Sequence, residues 1–432
     1  MRNLSIQRIL ALPLVMGLLF TSCKRYSSDF GDTNVNPAAT TTPIPAALLT
    51  NVEAGLGGYS ANTRGGLYCQ YFSETQYSSA SLYDIPQISF EGEYSGSLYD
   101  LQNIINTNSS NNMTQVARIL KSFIFSTLAD RWGDVPYSQA LTGLNKTPKF
   151  DSQEEVYAGC LKELGEAVAA FDGNSVISGD VIYKGDVAKW KKMANTLRLR
   201  LSMQLSKRTV GANQATKVNP KNEFVAALAD AGGTITNNAD NFAIAYPGGV
   251  YRSNWYNLYD GRKDYGQSNT MTSLMATMGD GRQVAYGTST LGVPYGWTRD
   301  YVDPWCQANP TWSRILNENF RQATSRIVIV SAAETHLLRA EAADRGWTNE
   351  DMNSLYQGGI AASYEQWGLT APNSYYTSSL VALSNAAGSA SNVSKIALQQ
   401  YIAAYPDGLR GWSIWRRTGV PALTPARDAL SG

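Results

Sequence analysis

The sequence predicts a mostly α-helical protein, in which a scaffold of helical hairpins carries long irregular loops rich in aromatic residues. Apolar residues recur at i, i+3, i+4 and i+7 in several segments, which is the spacing of one helix face. Several of these segments come in pairs joined by short turns, as in helical-hairpin repeats. The consensus residues of a tetratricopeptide unit are absent, so any such repeat is degenerate.

The first 22 residues have the pattern of a bacterial lipoprotein signal peptide. Two arginines precede an apolar run over residues 9–20, which is too short to span a bilayer, since that needs about 20 residues. Cys23 follows two small residues at the expected cleavage point. We therefore expect cleavage before Cys23 and lipidation of its thiol, with each buried methylene of the acyl chains contributing ~0.8 kcal/mol to membrane binding. An ordinary signal peptide with an incidental cysteine is the alternative.

Residues 23–45 are expected to form the lipidated N-terminus and a flexible tether, because Asn, Asp, Thr and Pro dominate this stretch. Fully extended, about 20 residues reach roughly 70 Å. Residues 46–432 show no break in composition, so we expect a single domain after the tether.

The net charge of the chain argues against binding to nucleic acid or to an anionic membrane surface. The formal net charge is +1, and removal of the signal peptide with its two arginines makes it −1. A nearly neutral body has no electrostatic footprint for nucleic acid or for an anionic membrane surface. Charged residues make up 16% of the chain, below the ~25% typical of soluble domains. Such a polar, uncharged and aromatic surface suits neutral polar ligands.

The helical stripes are clearest in six segments. The predicted helices are residues 116–128, 153–171, 187–206, 330–345, 352–367 and 393–404. Asp151 or Ser152 can cap the second of these helices, which has two glutamates in its first turn.

Two stretches, residues 55–101 and 246–312, break the helical pattern. The second holds twelve aromatic residues in 67 positions, against 11% aromatic residues in the whole chain. Long irregular segments in compact domains are usually functional. We therefore expect the ligand site to lie in these stretches.

Four segments, in the correct order, resemble motifs of the SusD/RagB-type outer-membrane lipoproteins of the Bacteroidetes. The segment 130–140, DRWGDVPYSQA, resembles the "fGDvPYseA" signature of that family. The other three are 34–37 followed by 43–49, the late helix motif at 333–342, and the C-terminal motif at 415–421. The resemblance spans nearly the whole chain after Cys23.

The resemblance implies a SusD-like fold, with tetratricopeptide-like hairpins as the scaffold and long loops that carry the ligand site. It implies a non-catalytic protein that captures a nutrient, usually an oligosaccharide and sometimes a peptide. The partner would be a SusC-like TonB-dependent β-barrel transporter, which receives the nutrient. The chain would be lipid-anchored at the outer membrane and face the cell exterior. Relatives continue beyond the C-terminal motif, so an incomplete C-terminus is one expectation.

Few residues could support catalysis. His336 is the only histidine, whereas catalytic triads, Cys–His pairs and H-E-x-x-H zinc sites depend on histidine. It lies within a predicted helix, where a structural role is the simpler interpretation. No phosphate-binding loop or calcium-loop spacing occurs, so we expect no cofactor and no metal.

The aromatic loops supply the candidate ligand-binding residues. A Trp or Tyr ring can cover the C–H face of a sugar, while Asn, Asp, Arg and Gln bond its hydroxyls. Trp297 is the leading candidate, with Arg299 and Asp300 as hydrogen-bonding partners. The further candidates are Trp305, Trp255, Tyr71 and Tyr77. The alternative for any one of these rings is packing of the loops or contact with the transporter.

Two other functions remain open at this point. A lipid-anchored glycoside hydrolase needs only two carboxylates ~5–10 Å apart, and Glu91/Glu93 or Asp300/Asp303 could supply them. A helical-repeat adaptor would bind only protein partners. The sequence does not identify the glycan or the peptide.

Overall fold

The computed structural model describes residues 42–84, 88–143, 147–207, 217–384 and 386–429. The expected signal peptide, Cys23 and nearly all of the expected tether lie outside these residues. The chain from Pro45 onward forms one compact unit. Within the described ranges, no helix is both long enough and apolar enough to cross a membrane.

The unit is mostly helical, as predicted. The helices are α1 (Pro45–Gly55), α2 (Gly57–Ser60), α3 (Thr63–Tyr68), α4 (Glu91–Ser95), α5 (Ser97–Thr107), α6 (Asn111–Trp132), α7 (Gln153–Ala170), α8 (Val187–Gln204), α9 (Pro220–Ala229), α10 (Asn254–Asn257), α11 (Asn269–Met278), α12 (Gln283–Tyr286), α13 (Arg299–Ala308), α14 (Ala332–Asp344), α15 (Met352–Glu365), α16 (Asn373–Thr377), α17 (Ala390–Ala404) and α18 (Gly408–Thr418). All six helices predicted from the apolar stripes are present.

The longer helices pack in consecutive pairs, which confirms the predicted hairpin scaffold. The pairs are α6 with α7, α8 with α9, α14 with α15, and α17 with α18. The close approach of α14 and α15 depends on Gly359, because a Cβ there would lie 2.6 Å from Cγ of Leu337. Their stripes form the core, in which Trp190, Leu337 and Ile396 are buried.

Helix α7 shows how local sequence sets these boundaries. The Ser152 hydroxyl accepts a hydrogen bond from the Glu155 backbone N–H, and the Glu155 carboxylate accepts one from the Ser152 N–H. This capping box decides between the two predicted caps. Asp151 instead accepts hydrogen bonds from the N–H groups of Tyr137 (3.0 Å) and Ser138 (2.7 Å).

Three small antiparallel sheets connect the irregular segments, each with two strands. The strands are β1 (Phe72–Glu74), β2 (Val135–Pro136), β3 (Phe150–Asp151), β4 (Phe242–Ile244), β5 (Tyr265–Gln267) and β6 (Ile327–Val330), paired as β1–β5, β2–β3 and β4–β6. The β1–β5 pair places Phe72 opposite Gln267. The two aromatic stretches of the sequence therefore meet at this sheet.

The late helix motif and the C-terminal motif are joined by buried charges. Arg417 of α18 donates to Glu341 of α14, with 2.8 Å from Nη2 to Oε2, and Gln400 donates to the same oxygen at 2.7 Å. The guanidinium of Arg417 and that of Arg345 lower the pKa of Glu341 to about 2, against the opposing effect of burial. These motif residues are therefore structural, since they hold α14, α17 and α18 together.

His336 has a structural environment on α14. Its Nε2 lies 3.0 Å from the carbonyl oxygen of Thr236, and burial lowers the pKa of the imidazole. This placement agrees with the structural role expected for the residue.

Candidate ligand-binding site

The segment that carries Trp297 is held on the core by backbone hydrogen bonds. Val293 donates its N–H to the Gln267 carbonyl (2.9 Å) and accepts from the Asn269 N–H (2.8 Å). Tyr295 is buried, and its hydroxyl donates to the Leu67 carbonyl at 2.8 Å. These hydrogen bonds fix the loop around Trp297 to the core.

A second segment, residues 426–428, packs directly against this loop. Gly296 has φ +69°, and a Cβ at this position would lie 2.5 Å from Cα of Ala426. Asp428 donates its N–H to the Gly296 carbonyl at 3.0 Å, and its carboxylate accepts from the Thr298 N–H at 3.1 Å. The carboxylate thereby lies at the N-terminus of α13, where negative charge is stabilising.

Helix α13 has one face on the core and one face in solvent. Val302 is buried in a small cluster with Val293 and Trp312, and Trp305 packs against that cluster with its ring half-buried. Arg299 and Tyr301 point away from the cluster and are exposed. The helix therefore presents a polar and aromatic face that begins at its first turn.

Five side chains from three parts of the sequence lie around the start of α13 in two contact groups, and we name them together the aromatic platform: Tyr77 with Arg299, and Trp297 with Tyr301 and Arg427. The Trp297 and Tyr301 rings are edge to face, with centroids 6.4 Å apart. The Arg427 guanidinium lies 5.2 Å from the Trp297 ring and 5.3 Å from the Tyr301 ring. The Arg299 guanidinium lies 5.6 Å from the Tyr77 ring.

The platform offers ring faces and charged donors to solvent at the same place. Tyr77 is 54% exposed and Tyr301 is 56% exposed, whereas Trp297 is half-buried. Rigid aromatic side chains give a large contact area at small entropic cost. The two guanidinium groups supply N–H donors that suit hydroxyl and carbonyl oxygens. The arrangement can therefore bind a ligand that has both a C–H face and a polar rim.

Three of the predicted residues lie on the platform, namely Trp297, Arg299 and Tyr77. Asp300 is exposed next to them, in the first turn of α13. Trp305 is on the same helix but packs its ring against the cluster below.

Tyr71 proves to be a core residue, and Trp255 is buried away from the platform, where it lines a separate cavity described below; the structure corrects the assignment of both to an exposed aromatic site. Tyr71 is fully buried, donates its hydroxyl to the Tyr401 carbonyl, and packs 4.6 Å from the Tyr401 ring. Trp255 is 3% exposed and packs edge to face on Phe72 at 6.1 Å. Composition marked them as loop aromatics, but the β1–β5 pairing places their part of the chain inside the unit.

Sequence reasoning missed Tyr301 and Arg427 as site residues. Tyr301 lies four positions after Trp297 in the same aromatic segment, and its position next to the leading candidate was the signal available. Arg427 had no such signal, because the contact between its segment and the loop joins residues 130 positions apart.

The described residues show no arrangement suited to metal binding, and two of the acids proposed for a hydrolase have hydrogen-bond partners on the protein. Among the described residues, no group of three or more His, Cys, Asp or Glu side chains could hold a metal ion. Of the proposed hydrolase pairs, Glu93 accepts a hydrogen bond from the Tyr59 hydroxyl at 2.5 Å, and Asp303 accepts one from the Gln307 amide at 3.2 Å. These carboxylates have structural partners.

A family model described as "Starch-binding associating with outer membrane" matches residues 36–431. The chain belongs to the SusD-like family. This match confirms the resemblance seen in the four motifs. It also confirms the prediction of a binding protein rather than an enzyme, because the family description names starch binding. The family description also places its members at the outer membrane.

Solved structures of SusD-like proteins share the fold over most of their length. A chitin-binding SusD homologue from Flavobacterium johnsoniae is 26% identical, with a TM-score of 0.75, and the match covers 89% of this chain and 87% of that one. An outer-membrane protein from Bacteroides vulgatus, for which a role in nutrient binding is suggested, is 25% identical with a TM-score of 0.78. The match covers 89% of this chain and 91% of that one. A SusD homologue from Bacteroides fragilis is 24% identical with a TM-score of 0.76, and the match covers 90% of each chain. No curated protein matches the chain.

Proposed function

We propose that this SusD-like protein captures an oligosaccharide on the aromatic platform and delivers it to a SusC-like TonB-dependent transporter. The observation that carries the proposal is the clustering of exposed Tyr301 with Trp297 and Arg427, and of exposed Tyr77 with Arg299, at the start of α13. Exposed aromatic rings that cluster on one surface are typical of binding sites, whereas single exposed rings are common on any protein.

The ligand chemistry follows from the platform. A sugar ring stacked on Tyr301 or Tyr77 loses water from its C–H face, and Arg299, Arg427 and Asp300 can bond the hydroxyls at its edge. The Flavobacterium relative is described as chitin-binding. Chito-oligosaccharides are therefore the first ligands to test, followed by malto-oligosaccharides and short peptides.

The binding experiment compares two tyrosines of equal exposure. Tyr301 is 56% exposed on the platform, and Tyr99 is 55% exposed on α5. Titration calorimetry with the oligosaccharide panel should show Tyr301→Ala binding at least about tenfold more weakly, which is about 1.4 kcal/mol, while Tyr99→Ala binds as the unchanged protein does. Trp297→Ala should also weaken binding. Equal affinity of the two tyrosine variants for every ligand that binds would place the site elsewhere.

The membrane anchor and the domain plan belong to the same proposal. Residues 1–22 would be removed, Cys23 would carry the lipid, residues 23–45 would act as the tether, and residues 46–432 would form the binding domain on the exterior face. In cell fractionation, Cys23→Ser should shift the protein from the outer-membrane fraction to the soluble fraction. Retention of that variant in the membrane would contradict the anchor.

Delivery requires a physical partner. Affinity purification of the lipidated protein from detergent-solubilised outer membranes should recover a β-barrel transporter of the SusC type. If the protein is recovered alone under conditions in which the ligand still binds, the proposed capture of the ligand stands. The proposed delivery to a transporter would then be wrong.

A further inference from the structure

A second concavity lies apart from the aromatic platform. It has a volume of about 570 Å³ and is formed by β6, the start of α14, the ends of α15 and α17, and residues 316–326. None of the five platform residues lines it. Ligand pockets in proteins usually measure about 300–1,000 Å³, so this cavity has room for a disaccharide or a short peptide.

Arg410 projects into this cavity with hydrogen-bond donors to spare. Its side chain is only 10% exposed, and its Nε lies 2.9 Å from Oε1 of Glu334 without the geometry of a hydrogen bond. Arg200 already takes both oxygens of Glu334, at 2.7 and 2.6 Å. Two guanidinium groups thus share one carboxylate. Burial, together with repulsion from Arg200 and Arg417, lowers the pKa of Arg410 even though Glu334 opposes the shift.

Arg326 is a second cation on the cavity wall, and it lacks a carboxylate partner. Its Nη2 donates to the Asn241 carbonyl at 3.1 Å. Within the described ranges, no Asp or Glu forms an ion pair with it, and the residue is exposed to solvent at the edge of the cavity lining. The remaining N–H groups of Arg326 are available to a ligand.

Trp367 adds a neutral donor. Its indole Nε1 is buried and forms no well-aligned hydrogen bond within the described part of the chain, although it interacts with the Tyr286 hydroxyl closely enough to oppose the rise that burial causes in the pKa of that group; the residue lines the same cavity. The ring is fixed edge to face by Phe320 (5.1 Å) and Tyr286 (5.6 Å). A ligand oxygen in the cavity could accept a better aligned hydrogen bond from this N–H.

The acidic residues of the cavity are already engaged. Glu334 is held by the two arginines described above, and Glu365 accepts from the Asn238 amide at 3.0 Å. Asp407 caps α18 through the Arg410 N–H at 2.9 Å and accepts from the Ser60 hydroxyl at 2.8 Å. Glu334 and Asp407 thus have partners on the protein, whereas Glu365 is exposed and one of its oxygens accepts no hydrogen bond from the described residues.

We propose that this cavity binds a small organic carboxylate, either the acid group of an anionic sugar or the C-terminal carboxylate of a short peptide. Arg326 and Arg410 would bond the carboxylate, because guanidinium–carboxylate pairs are among the strongest polar contacts in proteins. Trp367 would donate to a further ligand oxygen. The apolar part of the wall, which includes Leu316 and Phe320, would cover the rest of the ligand.

Titration calorimetry on the intact protein tests this with paired probes. One pair is digalacturonate with neutral digalactose, and the other is trialanine with trialanine amide. At least one acid should bind with one-to-one stoichiometry, and its neutral counterpart should bind at least about tenfold more weakly. The pair that shows the difference identifies the source of the carboxylate. If neither acid binds at millimolar concentration, or if the neutral probes bind equally well, the proposal is wrong.

Variants locate the binding. Arg326→Gln should weaken the acid about tenfold, and Trp367→Phe, which keeps a ring and removes the N–H, should weaken it severalfold. Arg262→Gln is the control for loss of one exposed guanidinium, since Arg262 is 64% exposed and is not part of the cavity lining. Melting temperatures confirm that each variant is folded. Equal effects of the two arginine variants, or loss of acid binding in Trp297→Ala but not in Arg326→Gln, would overturn the assignment independently of the platform.

Discussion

Glu53 of α1 is a buried acid without a positive partner, and its replacement by glutamine should stabilise the protein. Its Oε2 accepts hydrogen bonds from the N–H groups of Val181 (2.6 Å) and Ile182 (3.3 Å), whereas Oε1 accepts none from the described residues. Burial, and secondly the negative charge of Asp180, raise the pKa of Glu53 from 4.5 to about 9. Glutamine keeps one oxygen for the two N–H groups and places an N–H₂ group where Oε1 stands.

The size of the effect follows from proton linkage. Each unit of pKa difference between the folded and unfolded states is worth about 1.4 kcal/mol. Because the folded-state pKa is raised, the stability that the protonated Glu53 carboxyl contributes to the unchanged protein is fully present below pH 4.5. It is lost as the pH rises toward about 9. The free energy of unfolding of Glu53→Gln, relative to the unchanged protein, should therefore rise by about 4 kcal/mol between pH 5 and pH 8.

Urea unfolding at a series of pH values measures this difference directly. Glu91→Gln, at an exposed position on α4, is the matched control and should give a difference that does not change with pH. At each pH, the free energy of unfolding of the unchanged protein is subtracted from that of the variant. This difference removes the contribution of all other titrating groups. A pH-independent difference for Glu53→Gln would show that the buried carboxyl is ionised throughout, and the reasoning would fail.

Three further changes test the scaffold by urea unfolding. Glu341→Gln should cost about 3–5 kcal/mol at neutral pH, because it leaves Arg417 buried without its charge partner. In the unchanged protein the contribution of Glu341 should disappear as the pH falls from 4.5 to about 2, since its pKa is lowered to that value; a cost that persists at pH 2 would contradict this. Ser152→Ala should cost about 1 kcal/mol through loss of the α7 cap, and an unchanged midpoint would mean that the cap contributes nothing. Gly359→Ala should cost about 1–3 kcal/mol, because the new methyl group meets Leu337, and a neutral result would show that the α14–α15 contact can relax.

Most of the helical scaffold could be predicted from the sequence because its signals are local. The stripe through Leu197 and Leu201 in α8 repeats within a single helix turn or two, so a short window contains all the information. The cap of α7 was narrowed to two adjacent residues for the same reason. Only the tertiary structure shows which of the two residues is the cap, because the Asp151 carboxylate instead accepts hydrogen bonds from the backbone N–H groups of Tyr137 and Ser138.

The candidate site was predicted in part. Trp297 and Arg299 stand two positions apart, so their grouping needed no tertiary information. Tyr71 and Trp255 looked equivalent to them in composition, yet both are buried by the packing around the β1–β5 sheet. Composition reports how many rings a segment has, and it does not report which rings face solvent.

The sequence by itself determined the fold class and the membership in a family of binding proteins, because helix periodicity and short motifs are encoded within a few consecutive residues. The tertiary structure alone decided which side chains form surfaces. Arg427 reaches Trp297 across 130 positions of sequence, and Arg326, Trp367 and Arg410 line one cavity from three distant parts of the sequence. Such contacts depend on how elements distant in sequence pack together, and no local pattern of residues records that packing.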